Sequence, residues 1–477
     1  MNAAPALPDA RLLIAGEWVD GIDRQAVIDK YRLTPCCQLH LPSREQVAAT
    51  VAAAHAAFRA DTLSAYDRGR ILDAAAGLLE QRADELVRAL QLEAGFTVSD
   101  ARGELKRCVQ TFRLSAEEAR RFSGEMVPLD GAPQQAGRLG FTLRVPLGVV
   151  CAITPFNAPL NTVAHKVAPA LAAGNAVVLK PSSNTPTAAN LIAEVLLAAG
   201  LPPALMSVVH GGAQVAQWLL EEQAIRFYAF TGSTEVGRVI QLRAGLRRTQ
   251  MELGSIAFTV LSDDANLEHA LPKVVNAGYR KAGQVCTSVQ VLLVQRAIQP
   301  AVEARLAALV QALSFGDPAD PETFVGPVIS EAEAQRIERW IDEAIARGAR
   351  RLVGGPRLGA VVPPTLLTQV DDGMAVSCQE IFGPVVSIVP FDTLDEAIAR
   401  VNATPFGLAT GLFTNRLDEA LKAARRLEVG GVHINETSSS RVDVMPYGGS
   451  KESGFGREGP HYAVREMSEE RMVTILA

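Results

Sequence analysis

Residues 148–210 read GVVCAITPFNAPLNTVAHKVAPALAAGNAVVLKPSSNTPTAANLIAEVLLAAGLPPALMSVVH, and this stretch decides the fold. GVVCAITP, NAVVLKP and LMSVVHG are short apolar runs, read as strands. LNTVAHKVAPALAAG, ending at Gly174, and TAANLIAEVLLAAG between them have the length and apolar content of helices. Apolar strands joined by helices of this length mark a parallel sheet covered on both faces. Beyond Ala224 the pattern continues with IRFYAFTG as a strand and STEVGRVIQLRAG as the helix behind it.

From Phe258 to about Arg457 the alternation resumes as a second α/β unit. FTVL, QVLLV, VVSIVPF, GLATGLFT and GVHIN read as strands, and AVEARLAALVQAL, SEAEAQRIERWIDEAIARGA, LDEAIARVNA and RLDEALKAARRL as helices. Towards the N-terminus, LLIAGEWVD suggests a short strand and turn, followed by an irregular stretch to about Pro42 containing TPCCQLHLP. Ser43 then caps a helix, with Gln46 as its capping-box partner, and two further helices are expected over Asp67–Ala94 and Ser99–Phe122. Residues 125–145 break that pattern with turn chemistry and then alternate, which predicts a strand arm. ERMVTILA at the C-terminus is a strand that could pair with it.

The 477 residues suggest two or three domains with sizeable cores. With 48% hydrophobic and 21% charged residues the composition is that of a globular enzyme, and a net charge of -6 without long basic runs gives no footprint for nucleic acid or anionic lipid. The N-terminal stretch lacks the basic start and apolar core of a signal peptide, and no apolar run is long enough to span a bilayer, so a cytoplasmic protein acting on small molecules is expected. The six cysteines are too sparse for a disulfide framework and lack the spacing of a zinc site, so no metal is expected; the adjacent Cys36 and Cys37 read as a loop feature.

Between Met251 and Ser288 two chemically able groups stand 34 positions apart (252 to 286): Glu252 in Glu-Leu-Gly and Cys286 in Gly-Gln-Val-Cys. A thiol becomes a nucleophile as thiolate, and a desolvated carboxylate can take a proton from water. Taken alone, Cys286 better suits a packed, inert thiol, and Glu252, read as following a helix, a solvated turn.

In combination with TPFNAPL (Thr154 to Leu160), KPSSNTP (Lys180 to Pro186), FTGSTEVG (Phe230 to Gly237), EIFGPV (Glu380 to Val385), PFGLATGLFT (Pro405 to Thr414) and MPYGGSKESGFGREG (Met445 to Gly459), this pair resembles the aldehyde dehydrogenase superfamily over nearly the whole chain. The resemblance implies a Rossmann-type cofactor domain (1–124 and 146–253), an α/β catalytic domain (254–457) and a β oligomerisation arm (125–145 and 458–477), assembled as a homodimer or homotetramer. It implies NAD- or NADP-dependent oxidation of an aldehyde to a carboxylic acid. Cys286 would be the nucleophile, Asn157 an oxyanion donor together with the Cys286 backbone N–H, and Glu252 the base that hydrolyses the thioester.

For the cofactor the resemblance points to Thr154, Pro155, Phe156, Lys180, Ser182, Ser183, Gly232, Ser233, Leu253, Gly254, Glu380 and Phe382. Ser183 stands where NAD-preferring relatives often carry glutamate, which makes NADP use plausible, and Ser255-Ile256 replaces the usual Gly-Lys after Glu-Leu-Gly. GGVHINETSSSRVDVMPYGG resembles the branch acting on lactaldehyde, phosphonoacetaldehyde and glyceraldehyde-3-phosphate, so a small polar or anionic aldehyde is expected. Arg113, His165 and Arg441 could supply donors for its hydroxyl, carboxylate, phosphonate or sulfonate group, or serve surface and helix-packing roles. The alternatives are a CoA-acylating relative, against which Glu252 argues, and a family member retained for binding without turnover.

Overall fold

The capping box at Ser43 is made: the Ser43 N–H donates to Gln46 Oε1 at 2.9 Å and the Gln46 N–H to Ser43 Oγ at 3.1 Å. This computed structural model describes residues 7–60 and 63–476. The first six residues of the stretch read for a signal peptide, and Ala477 of the C-terminal strand, lie outside them.

The chain opens with the hairpin β1 (Leu12–Ile14) and β2 (Glu17–Val19), then a second antiparallel pair, β3 (Asp23–Ile28) and β4 (Pro35–Leu41). The stretch expected to be irregular is therefore a ladder, and Cys36 and Cys37 are buried strand residues, not a loop feature. β3 is largely exposed and so lacks apolar alternation; pairing in the folded chain is what makes it a strand. The helices are α1 (Arg44–Ala60), α2 (Ala65–Gln81), α3 (Ala83–Ala94) and α4 (Val98–Arg121). The single helix expected over Asp67–Ala94 is two, because Arg82 (φ -96°, ψ 23°) leaves helical geometry between them.

The arm forms as expected: β5 (Met126–Val127) and β6 (Arg138–Pro146) join the C-terminal strand Ser468–Leu476, which pairs antiparallel with β6 along its whole length. Next come β7 (Val149–Ile153), α5 (Asn161–Ala172), β8 (Ala176–Lys180), α6 (Pro186–Ala198), β9 (Met206–Val208), α7 (Ala213–Glu221), β10 (Ile225–Thr231), α8 (Thr234–Ala244) and β11 (Arg248–Glu252). Glu252 thus ends a strand; the expectation that it follows a helix is corrected. The parallel order is β9-β8-β7-β10-β11, with β1 and β2 outside β9. The chain moves outward from β7 to β9 and then returns to the other side of β7. Strand order reverses there, and the carboxyl ends of strands flanking such a point leave a crevice for ligands.

A second sheet is built from β12 (Phe258–Leu261), β13 (Val291–Gln295), and the strands Arg350–Val353, Thr365–Thr368, Val385–Phe391, Ala409–Phe413 and Gly431–Ile434. All are parallel except the edge strand Arg350–Val353. Each sheet has its own apolar core, one centred on Val149–Phe230 and the other on Phe258–Phe413. The segment Gly454–Phe455 leaves the second sheet and pairs with β11 opposite Glu252 and Met251, which draws the 437–458 loop over the gap between the sheets. Among the described residues no helix is long and apolar enough to cross a membrane.

Candidate active site

Register brings the site together. Ile153 pairs with Lys180 and with Phe230, and Thr231 with Glu252, so the carboxyl ends of β7, β8, β10 and β11 lie in one row. Cys286 comes from the second unit, in the loop between helix α9 (Leu267–Tyr279) and β13. This loop turns through three consecutive left-handed residues, Lys281 (φ 53°), Ala282 (φ 52°) and Gly283 (φ 70°). At Gly283 a side chain is excluded, since its Cβ would stand 2.0 Å from the Gly383 carbonyl oxygen. The strained turn is held by Lys281, whose N–H donates to Asp100 Oδ2 (3.1 Å) and whose buried ammonium donates to Glu104 Oε2 (2.6 Å) and the Asn157 carbonyl (3.1 Å). Glu104 also accepts the N–H of Asn161 at 2.8 Å, so one carboxylate on α4 anchors both loops of the site.

The row and the loop enclose a cavity of about 340 Å³. It gathers Cys286, Glu252 and Asn157 together with Pro155, Phe156, Gly232, Ser233, Leu253, Gly254, Glu380 and Phe382. Asn157 Nδ2 donates to the Gln284 carbonyl at 2.9 Å, which leaves its second proton uncommitted. Cys286 Sγ lies 3.0 Å from Tyr447 Oη, and burial pushes its thiol up to about 11 despite that contact. Glu252 is 4% exposed and neither carboxylate oxygen has a hydrogen-bond partner among the described residues. Burial raises it well above the ordinary glutamate range, neighbouring Glu458 raises it further, and Lys166, Arg441 and Arg457 oppose. Glu458, although buried, is held well below that range by Lys166 and Arg441, each donating to it at 2.9 Å.

The strand ends fit a nicotinamide dinucleotide. Lys180 Nζ has only the Pro181 carbonyl (3.4 Å) and no carboxylate among the described residues, and burial lowers it to about 8. Ser233 caps α8, accepting the Val236 N–H, and opens a helix N-terminus where anions are favoured. Burial lifts Glu380 to about 7; it accepts the Ser255 N–H at 3.0 Å, so the departure at Ser255 still supports this carboxylate through its backbone. Thr154 donates its N–H to the Lys180 carbonyl and its hydroxyl has no partner among the described residues, while Phe156 and Phe382 meet edge to face at 5.9 Å. Ser182 accepts the Asn184 N–H, and Ser183 is half-buried beside it.

Of the three candidate substrate residues only Arg441 lines the cavity. Arg113 sits on an outer face of α4, about half exposed, paired with Glu80 at 2.7 Å. His165, 1% exposed, lies one layer back with Nε2 2.9 Å from Asp443 Oδ1. In their place the structure brings Arg107 and Arg280. Arg107 is bound by both Asp443 oxygens (2.6 and 3.2 Å), Arg441 by Glu458, Lys281 by Glu104 and Arg336 by Glu333. Arg280 alone among these cavity-lining cations has no carboxylate within ion-pair distance among the described residues: its guanidinium meets Ser439 Oγ at 2.6 Å. Burial pushes it below the ordinary arginine range, with Asp100 opposing. Its place six residues before Cys286 is the one sequence signal that could have singled it out.

The chain matches the model of the Aldehyde dehydrogenase family over residues 18–473. It is 45% identical over 465 residues to a 3-sulfolactaldehyde dehydrogenase of Priestia aryabhattai, covering 97% of each chain. Among solved structures it is similar to aldehyde dehydrogenase 21 from Physcomitrella patens in complex with the reaction product succinate (TM-score 0.96, 35% identity, 99% of each chain). It is also similar to an NAD-dependent aldehyde dehydrogenase from Sinorhizobium meliloti (0.94, 34%, 99% of this chain and 95% of that one). A further match is the glyceraldehyde-3-phosphate dehydrogenase of Methanocaldococcus jannaschii complexed with NADP (0.92, 34%, 96% and 100%). With a family match over residues 18–473, one similar structure NAD-dependent and another complexed with NADP, this chain belongs to the aldehyde dehydrogenase family and is an NAD(P)-dependent oxidoreductase.

Proposed function

We propose that this enzyme oxidises a short aldehyde carrying an anionic group, with sulfonate- and carboxylate-bearing aldehydes the best fit, to the corresponding acid through Cys286. The observation that carries the anionic preference is the uncommitted guanidinium of Arg280 in the same cavity as the thiol. A partly buried cation not paired with a carboxylate is stabilised by a ligand that supplies the opposite charge. The 3-sulfolactaldehyde relative and the succinate-bound one support the class.

The residues divide the chemistry. Cys286 loses its proton and its sulfur bonds the aldehyde carbon; the free Asn157 amide proton and the Cys286 N–H hold the resulting oxyanion, donors typically worth about 3 kcal/mol each in the barrier. Lys180, Ser233 and Glu380 hold the dinucleotide, which supplies the hydride acceptor. The acyl group is then a thioester on Cys286, and Glu252 takes a proton from the water that cleaves it. Glu252, with no hydrogen-bond partner among the described residues, suits this step, and a water-activating carboxylate in the cavity argues against release to coenzyme A.

Initial rates over sulfolactaldehyde, succinic semialdehyde, lactaldehyde, phosphonoacetaldehyde and propanal, each with NAD and NADP and with Cys286→Ala as blank, test the assignment. An anionic aldehyde should win by kcat/KM; propanal matching it would refute the anion-selective site. We also assign the three-stranded arm to oligomerisation, supported by its exposed Leu139, Leu143 and Ile475. Light scattering showing a monomer would remove that role.

A further inference from the structure

Tyr447 is a cavity residue that the mechanism above does not use. It lies in MPYGG on the loop drawn over the site, is 8% exposed, and points its hydroxyl at the reacting sulfur, with Oη 3.0 Å from Cys286 Sγ. The ring is also held: the Arg441 guanidinium carbon stands 3.7 Å from its centroid, while Arg441 is fixed by Glu458 at 2.9 Å. A cation over the face of a phenol draws electron density from the ring and makes the O–H a better donor. Nearby lie Glu252 and Glu380, whose charges oppose a second negative charge on sulfur, and Arg441, which favours it; Arg280 also feels the Cys286 charge. Cys286 does not itself begin a helix; it sits in the loop between α9 and β13.

We infer that Tyr447 is a catalytic residue that donates its hydroxyl proton in a hydrogen bond to the Cys286 thiolate, with Arg441 holding and polarising the phenol. This rests on Cys286 being the nucleophile. No proton leaves Tyr447: the thiol proton passes to a carboxylate base or to water, and the phenol O–H then turns its hydrogen towards the sulfur. Burial keeps the phenol well above the ordinary tyrosine range, so it stays protonated wherever the enzyme works. When sulfur bonds the aldehyde carbon the donor is freed, which places its effect on the approach to the substrate and not on hydrolysis.

The test is the pH dependence of Cys286 alkylation by iodoacetamide in the full-length enzyme without substrate, with Cys286→Ala as blank because Cys378 is exposed. Tyr447→Phe should move the midpoint up by about one to two pH units, the shift commonly conferred by a hydrogen bond to a charged group, and slow alkylation below it about tenfold or more. 3-Fluorotyrosine at position 447, which keeps the shape but donates more strongly, should move the midpoint down. An unmoved midpoint in Tyr447→Phe, or an upward shift with the fluorinated side chain, would overturn the inference, and the second variant decides alone if the first does not fold. Alkylation at Cys286 that leaves turnover intact would instead overturn the nucleophile, a failure distinguishable from the first.

Discussion

Replacing Arg280 by glutamine tests the anion site where the structure is most specific. Of the five N–H donors on a guanidinium, the Ser439 hydroxyl occupies one, and among the described residues no carboxylate competes for the rest within ion-pair distance. Arg107, Arg336, Arg441 and Lys281 are each bound to a carboxylate and have less to offer a substrate. Removing one partner of a desolvated charge pair costs about 2–5 kcal/mol, so kcat/KM for an anionic aldehyde should fall by roughly 30- to 5,000-fold. Propanal, which has no anion to lose, should change by less than about threefold on the same reasoning. Because burial disfavours the Arg280 charge in the enzyme without substrate, the variant should melt within a few degrees of wild type. Steady-state rates on both aldehydes and a thermal melt decide the matter. Equal losses on both aldehydes would show that Arg280 shapes the Cys286 loop and does not bind the anion; an unchanged rate on the anionic one would end its role altogether.

Glu252→Gln should give a burst of reduced cofactor followed by slow turnover, seen by stopped-flow absorbance; a steady state equal to wild type would contradict its role as base. The base is the carboxylate form and its pKa is raised, so thioester hydrolysis in the wild type should fall as pH drops through a midpoint above the ordinary glutamate range, and a flat profile would count against it. Ser183→Glu should shift the kcat/KM ratio towards NAD by adding a carboxylate against a 2′-phosphate, and an unmoved ratio would place cofactor choice elsewhere. Glu104→Gln leaves the buried Lys281 ammonium unpaired and should cost about 3–5 kcal/mol in denaturant unfolding; a loss under about 1 kcal/mol would mean the Cys286 loop is anchored by its other contacts.

The parallel strands from Val149 to Thr231 were legible because strands buried on both faces must be continuously apolar, a pattern that needs no knowledge of partners. The arm and its C-terminal partner were legible from alternation. The ladder Asp23–Leu41 was not, because β3 is exposed and gains its structure only by pairing. Glu252 was found by its motif but placed after a helix, since the short strand Arg248–Glu252 carries polar residues that hide its period.

The substrate side divides the same way. Arg107 and Arg113 share α4, yet six residues at about 100° each turn their side chains to different faces, and only Arg107 reaches the cavity. Tyr447 meets Cys286 because Gly454–Phe455 pairs with β11, a contact made across some two hundred residues. The sequence by itself determined the two α/β units and the family resemblance that makes Cys286, Glu252 and Asn157 the candidate catalytic residues, because apolar periodicity and ordered motifs are local properties of the chain. Only the tertiary structure decided which cations face the substrate and which are neutralised, because pairing, burial and the aim of a side chain depend on residues far apart in sequence that folding brings within a few ångströms.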